Sequence, residues 1–393
     1  MNPHPEINAR PGVQALRSQQ IREVAGVAAG RPDVLPFWFG ESNLITPEVI
    51  REAATSALRE GRTLYAPTLG IPELRESLSA YLTGLHRGYP AERVAITNSG
   101  VTALMLALQT IASPGDRAVA VTPVWPNLCE IPRILGACVT SVPLRFGADG
   151  WTLDLDRLLE AVTPGTTALI INSPNNPTGW TLTRAEQEAI LAHCRRTGTW
   201  LIADDVYERI YFHGRCAPSF LDIATPEDRF IGCNSFSKAW RMTGWRIGWM
   251  VVPRGLMQDL SKLIEYNSSC APPFIQVAAR VALGECEAEV AALVEQIRAN
   301  QLRLYELLRP LGCLELGAPA AGGMYAFLRV KGLRDSLSLC KRLVTEAGVG
   351  LAPGSAFGSE APEFLRWCLA VDPQQLEEGA RRFSRFVGTI SAE

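Results

Sequence analysis

This chain has little of what a metal site or a disulfide scaffold needs. Among its 393 residues are four histidines, His4, His86, His193 and His213, and ten cysteines that never form a Cys-x-x-Cys pair. Neither set has the spacing of zinc ligands, so no metal is expected. Thiols scattered in this way read as reduced, buried core residues of a cytoplasmic protein. A formal net charge of −2 leaves no electrostatic footprint for nucleic acid or an anionic membrane. Long apolar runs are missing too. The most apolar stretch, 101–112, is cut by Thr102, Gln109 and Thr110 and is too short to span a bilayer. The opening Met1-Asn2-Pro3-His4-Pro5 has neither the basic nor the apolar region of a signal peptide. No Gly-x-Gly-x-x-Gly opens a strand-to-helix turn, which speaks against a nicotinamide-dependent dehydrogenase.

What is present is the composition of a soluble enzyme, 47% hydrophobic and 20% charged, in a chain long enough for one large domain and a smaller one. Short apolar runs at 94–96, 118–122, 168–172, 200–203, 230–233 and 247–252 alternate with helical patterns at 101–111, 184–197 and 255–266. Such alternation predicts an α/β fold, a mostly parallel sheet between helices, with ligands gathered beyond the carboxyl ends of its strands. From about residue 285 the pattern changes to a long helix over 288–308, short strands, and a final amphipathic helix near 374–387. The expected division is a large domain over 46–284 and a smaller one assembled from 1–45 and 285–393.

The polar residues that follow the apolar runs carry the chemistry. Lys238 lies in Ser235-Phe236-Ser237-Lys238-Ala239-Trp240-Arg241-Met242-Thr243-Gly244-Trp245-Arg246. A lysine between small hydroxyl residues, with an arginine eight positions on, suits Schiff-base capture of an aldehyde cofactor that carries a phosphate. Asp204, at the end of Trp200-Leu201-Ile202-Ala203, is a carboxylate at a buried strand end and needs a cation there. A protonated pyridine nitrogen would serve. Tyr207, read as one helical turn on, would reach the same ring; Asp204 as a plain helix cap is the competing reading. Thr97-Asn98-Ser99-Gly100-Val101 opens a helix and offers free backbone N–H groups to an anion, although an ordinary capped helix explains it as well. Trp125 could stack on a flat ring or fill the core. The turn Asn172-Ser173-Pro174-Asn175-Asn176-Pro177-Thr178-Gly179 is rigid enough to aim an asparagine amide at a ligand.

These motifs, in this order, resemble the class I/II aminotransferases of the aspartate aminotransferase superfamily, which are fold-type I pyridoxal-phosphate enzymes. The resemblance runs from Gly40-Glu41-Ser42-Asn43 through Tyr65-Ala66-Pro67-Thr68-Leu69-Gly70 and Asn175-Asn176-Pro177-Thr178-Gly179 to Ser237-Lys238-Ala239 and Thr243-Gly244-Trp245-Arg246. It ends at Ala352-Pro353-Gly354-Ser355-Ala356-Phe357-Gly358 and Leu365-Arg366-Trp367. It implies a seven-stranded-type sheet in the large domain, pyridoxal 5′-phosphate as cofactor, and a homodimer with shared active sites. It implies Lys238 as the Schiff-base lysine and proton carrier, and Asp204 on the pyridine nitrogen. Tyr207 and Asn176 would face the ring oxygen and Trp125 the ring. The phosphate would be held by the backbone of Ser99, Gly100 and Val101, by Ser235 or Ser237, by Arg246, and by Tyr65 of a second subunit. Arg366 would grip the substrate α-carboxylate, helped by Asn176 and the backbone of Gly40; a guanidinium binds carboxylate bidentately and stays charged.

One position departs from a relative. In a common bacterial aspartate aminotransferase subgroup the phosphate loop reads Gly-Gly-Lys, with the lysine serving the substrate's distal carboxylate. Here Val101 stands in its place, beside Trp38 and Phe39, so a neutral amino donor is expected. Other reactions of the same cofactor, β-elimination among them, share these residues. A ligand-sensing module of a transcriptional regulator is the reading from a different class, and the residues before Gly40 lack the basic winged helix it would need.

Overall fold

Strands that are apolar on both faces must be covered on both faces, and the main sheet obeys this. In the computed structural model, which describes residues 7–390, it has seven strands. They are β1 (Val94–Thr97), β2 (Arg117–Thr122), β3 (Cys138–Pro143), β4 (Ala168–Asn172), β5 (Trp200–Asp204), β6 (Phe230–Ser235) and β7 (Gly248–Val251). Their order is β1-β7-β6-β5-β4-β2-β3. β7 is antiparallel to both of its neighbours, and the other pairings are parallel. Side chains alternate between two cores, as the period of a strand requires. Leu169, Ile171, Leu201 and Ala203 face a cluster with Leu74, Leu78 and Leu82 of helix Pro72–Leu85. Ile170, Ile202 and Ile231 face the opposite one, with Leu104 and Leu108 of helix Gly100–Ile111 and Leu260 and Ile264 of helix Met257–Ser268.

A second sheet follows: β8 (Leu314–Glu315), β9 (Tyr325–Val330), β10 (Ala352–Pro353) and β11 (Phe364–Cys368), all antiparallel in the order β8-β9-β11-β10. Its core joins Leu328, Leu365 and Trp367 to Ile297 and Leu304 of helix Glu287–Leu308 and to Leu376 and Phe383 of helix Pro373–Ile390. The N-terminal segment joins this unit, because Leu35–Pro36 pairs in parallel with Val349–Gly350. Arg366 sits in β11, in register with Phe327 of β9.

Three expectations change. The segment after Asp204 is a run of turns rather than a helix, with Glu208 N–H bonded to Asp205 O and Ile210 N–H to Tyr207 O. The thiols are not uniformly buried: Cys194, Cys233, Cys286, Cys340 and Cys368 are, but Cys138 is exposed and the others are half-buried. Strand β3 is the added one; it pairs only with β2 and half of its residues are exposed, so it lacks the apolar run that marks its neighbours. His4 and the opening Met1-Asn2-Pro3-His4-Pro5 lie outside the described residues. No group of histidine, cysteine or carboxylate side chains among the described residues could hold a metal, and no described helix is long and apolar enough to cross a membrane.

Candidate active site

The parallel strands deliver their last residues to one crevice. Asn172 and Asp204 are register partners at the ends of β4 and β5, and Ser235 ends β6 opposite Gly248. A cavity of about 220 Å³ opens there, between the two sheets. Lining it are Gly40, Gly100, Val101, Trp125, Asn176, Asp204, Tyr207, Ser235, Ser237, Lys238, Arg246 and Arg366. These come from segments more than 300 residues apart; the crossovers of the parallel sheet gather those of the large sheet, and the second sheet adds Arg366.

The anion end is built from backbone. Ser99 caps helix Gly100–Ile111, its Oγ accepting from Thr102 N–H at 3.0 Å, and Ser99 O accepts from Ala103 N–H. That leaves the N–H groups of Gly100 and Val101 at the positive end of the helix, beside the cavity. Glycine is required behind them: a Cβ on Gly248 would lie 2.6 Å from Asn234 O and 2.7 Å from Gly100 N. Ser235 Oγ donates to Ser237 Oγ at 2.8 Å. Arg246 adopts the left-handed conformation, φ 55, at a cost of about 1 kcal/mol for a non-glycine residue, and its Nη1 donates to Thr243 O at 2.7 Å.

The other end holds charges without counter-charges. Asp204 is buried, and its Oδ1 accepts from Val206 N–H at 3.3 Å. Burial pushes its carboxyl up to about 7, against that hydrogen bond and the charge of Lys238. Lys238 Nζ donates to Gly40 O, and burial pushes this amine down to about 8. Arg366, 2% exposed, donates to Asn176 Oδ1 at 2.9 Å and to Trp38 O, while its Nε has no partner among the described residues. Its guanidinium lies 4.3 Å from the Tyr325 ring centroid and 4.8 Å from that of Phe357. Every one of these bonds goes to a neutral partner. A buried ion in that state is costly unless a ligand compensates it.

Two sequence-predicted residues stand outside the cavity. Ser99 is buried behind it as the helix cap. Tyr65 is 89% exposed and does not line the cavity of its own chain. Two others were missed. Asn172 Nδ2 donates to Asp204 O at 2.9 Å, and its Oδ1 accepts from Asn176 N–H at 2.7 Å, so it locks the strand end to the turn. Tyr325 Oη lies 2.7 Å from Tyr207 Oη. Its place inside the apolar run Met324-Tyr325-Ala326-Phe327-Leu328 reads as core, and only the register with β11 brings it to the cavity. Trp38, Phe39, Ile21, Leu104 and Val206 make much of the remaining wall apolar.

An amine of lowered basicity, a buried carboxyl, a helix-start anion cradle and a buried arginine line one cavity. The family model "Aminotransferase class I and II" matches residues 37–383, and the chain belongs to that family. Aromatic-amino-acid aminotransferase 2 of Thermococcus litoralis is 31% identical over 381 residues, covering 95% of this chain and 96% of that protein. Aspartate/prephenate aminotransferase of Thermus thermophilus is 32% identical, covering 91% of each. Among solved structures, N-succinyldiaminopimelate aminotransferase from Mycobacterium tuberculosis superposes with a TM-score of 0.90 at 29% identity, covering 96% of this chain and 99% of that one. The enzyme is a transaminase with the fold-type I architecture, and its family uses pyridoxal phosphate.

Proposed function

We propose that this cavity binds pyridoxal 5′-phosphate on Lys238 and that the enzyme moves an amino group between a neutral L-amino acid and a 2-oxo acid. The observation that carries the reading is the set of buried charges, Asp204, Lys238 and Arg366, each lacking an opposite charge within ion-pair distance. The residues fit the cofactor: the Gly100 and Val101 N–H groups, Ser235, Ser237 and Arg246 can take a phosphate, Asp204 a ring nitrogen, and Trp125 a ring face. Once bound, the cofactor supplies an aldehyde and an electron-withdrawing pyridinium that stabilises the carbanion left when the α-proton goes.

The chain's own residues do the rest. Asp204 holds the proton on the ring nitrogen, and the dry strand end keeps that pair strong. Lys238 Nζ takes the α-proton and returns it on the other side of the exchange; a base near 8 is matched to neutral pH. Arg366 orients the α-carboxylate, with Asn176 fixing the guanidinium. Tyr207 and Asn176, which line the same cavity, would face the ring oxygen of the bound cofactor.

Val101, Trp38, Phe39 and Leu104 offer no cation to a distal carboxylate, and an unpaired charge in such a pocket is expensive. Neutral donors should therefore beat aspartate. The test follows cofactor absorbance with each amino acid, then adds an oxo acid; only transamination restores the first spectrum on that addition. Val101→Lys should move the aspartate-to-phenylalanine ratio of kcat/KM upward by about tenfold or more. A native enzyme that prefers aspartate to every neutral donor contradicts the proposed pocket.

The reading includes a homodimer in which Tyr65 serves the neighbour's phosphate. Leu64, Tyr65 and Tyr266 are 82%, 89% and 89% exposed, which suits surface covered by a second copy. It also assigns 46–284 to a cofactor-carrying domain and 1–45 with 285–393 to a smaller one. Ten free thiols suit a cytoplasmic enzyme.

A further inference from the structure

Tyr325 links the two halves of the site. Its hydroxyl lies 2.7 Å from that of Tyr207, and its ring carries the Arg366 guanidinium at 4.3 Å. Arg366 in turn donates to Asn176 Oδ1, and Asn176 Nδ2 donates to Tyr207 Oη at 3.4 Å. Four residues on four different segments thus close a ring, and Tyr325 occupies the point where the carboxylate-binding strand β11 meets the turn after β5. Gly40 makes room for it, because a Cβ there would collide with the Tyr325 hydroxyl. A phenol that is 1% exposed and bonded to another phenol is an expensive substitute for phenylalanine unless the hydroxyl has a use.

We propose that Tyr325 is a positioning residue with two separable functions: its hydroxyl donates to Tyr207 Oη and thereby sharpens the hydrogen bond Tyr207 gives the cofactor's ring oxygen, while its ring supports Arg366. This rests on the cofactor reading above. The direction follows from bookkeeping of protons. Tyr207 has one hydrogen; if that hydrogen goes to the ring oxygen, its lone pairs must accept from Asn176 Nδ2 and from Tyr325. A donor that is itself a hydrogen-bond acceptor is polarised and donates more strongly, more so in a dry site. Without Tyr325's hydroxyl, Tyr207 stabilises negative charge on the ring oxygen less well, and the bound chromophore loses its proton at higher pH. The charged and titratable groups around it are Asp204 at the end of β5, Lys238 after β6, Arg246 before β7, Arg366 and Cys368 on β11, and Glu41. All are kept in the variants that follow.

The test uses holoenzyme loaded with pyridoxal 5′-phosphate, without substrate, and reads the pH midpoint of its visible absorbance change. Tyr325→Phe should raise the midpoint by about half a pH unit or more. The same variant should leave the dissociation constant of 3-phenylpropanoate, a monocarboxylate probe read from the same spectrum, within about twofold. Tyr325→Leu removes ring and hydroxyl together, so it should raise the midpoint and also weaken that probe by about fivefold or more. In a Tyr207→Phe background, adding Tyr325→Phe should move the midpoint no further. An unmoved midpoint in Tyr325→Phe, or an equal shift in the Tyr207→Phe background, overturns the proposal while the wild type's colour leaves the cofactor reading standing. A wild-type protein that takes up no chromophore overturns both.

Discussion

The large sheet holds two buried charge clusters, and they are built on opposite principles. The His86 side chain is fully buried between Asp222, 2.7 Å from its Nδ1, and Glu208, 3.1 Å from its Nε2. Asp222 also pairs with Arg184, and Glu208 accepts from Asn234 Nδ2 at 2.8 Å. His86, Asp222, Glu208 and Arg184 each meet an opposite charge. At the strand ends, and on β11 of the second sheet facing them, Asp204, Lys238 and Arg366 meet only neutral groups. The first arrangement is complete in the protein alone and acts as internal bracing. In the proposed function, the second is completed by a ligand that brings a cation to Asp204 and an anion to Arg366. Pairing, more than burial, distinguishes these two groups of residues.

The comparison breaks most visibly at Asp204. Asp204→Asn keeps the shape but cannot hold a ring proton, so kcat should fall by about a thousandfold while cofactor stays bound. Steady-state kinetics beside the visible spectrum would check this, and near-normal turnover would reduce Asp204 to a structural strand end. Arg366→Leu comes next. Its loss should cost roughly 2–5 kcal/mol in kcat/KM for every amino acid, whatever the side chain. A variant that discriminates between side chains would move Arg366 out of the α-carboxylate role.

The paired cluster should respond in stability and not in chemistry. Burial disfavours the charged form of His86, but the hydrogen bonds and charges of Asp222 and Glu208 outweigh it and raise the imidazole to about 10. A group raised above its unfolded value, near 6.5, gives stability that is full below that pH and is lost as pH rises through 10. His86→Gln should therefore destabilise the enzyme by about 3 kcal/mol at pH 6.5. The gap to wild type should narrow as denaturant midpoints are repeated toward pH 10. A gap that does not change with pH would mean that His86 is neutral in the fold.

What the sequence disclosed follows the same division. Strands β4 and β5 were legible because burial on both faces forces continuous apolar runs, as in Ala168-Leu169-Ile170-Ile171. Asp204, which ends one of those runs, stood out as a carboxylate at a costly place, while Asn172 read only as the start of a turn. Strand β3 was not legible, since an exposed edge needs no such run. His86 looked like a stray histidine because its partners, Glu208 and Asp222, lie 122 and 136 residues away. Tyr325 was hidden for the converse reason: a tyrosine in an apolar strand carries no local mark of a polar partner. The turn after Asp204 was misread as a helix, because spacing of Asp204 and Tyr207 fits either, and hydrogen bonds of the i to i+3 kind form in both.

The central claim is that one lysine, placed where the unpaired charges gather, carries the cofactor. The chain offers few rivals: Lys262 and Lys341 sit in surface ion pairs with Asp259 and Glu23, and Lys331 donates to Gly312 O at an exposed site. Borohydride reduction of the purified holoenzyme, followed by peptide mapping, reads the attachment point directly. A pyridoxyl group on the peptide containing Lys238 is the predicted result. Label on Lys262, Lys331 or Lys341, or none at all on a coloured enzyme, would contradict the account.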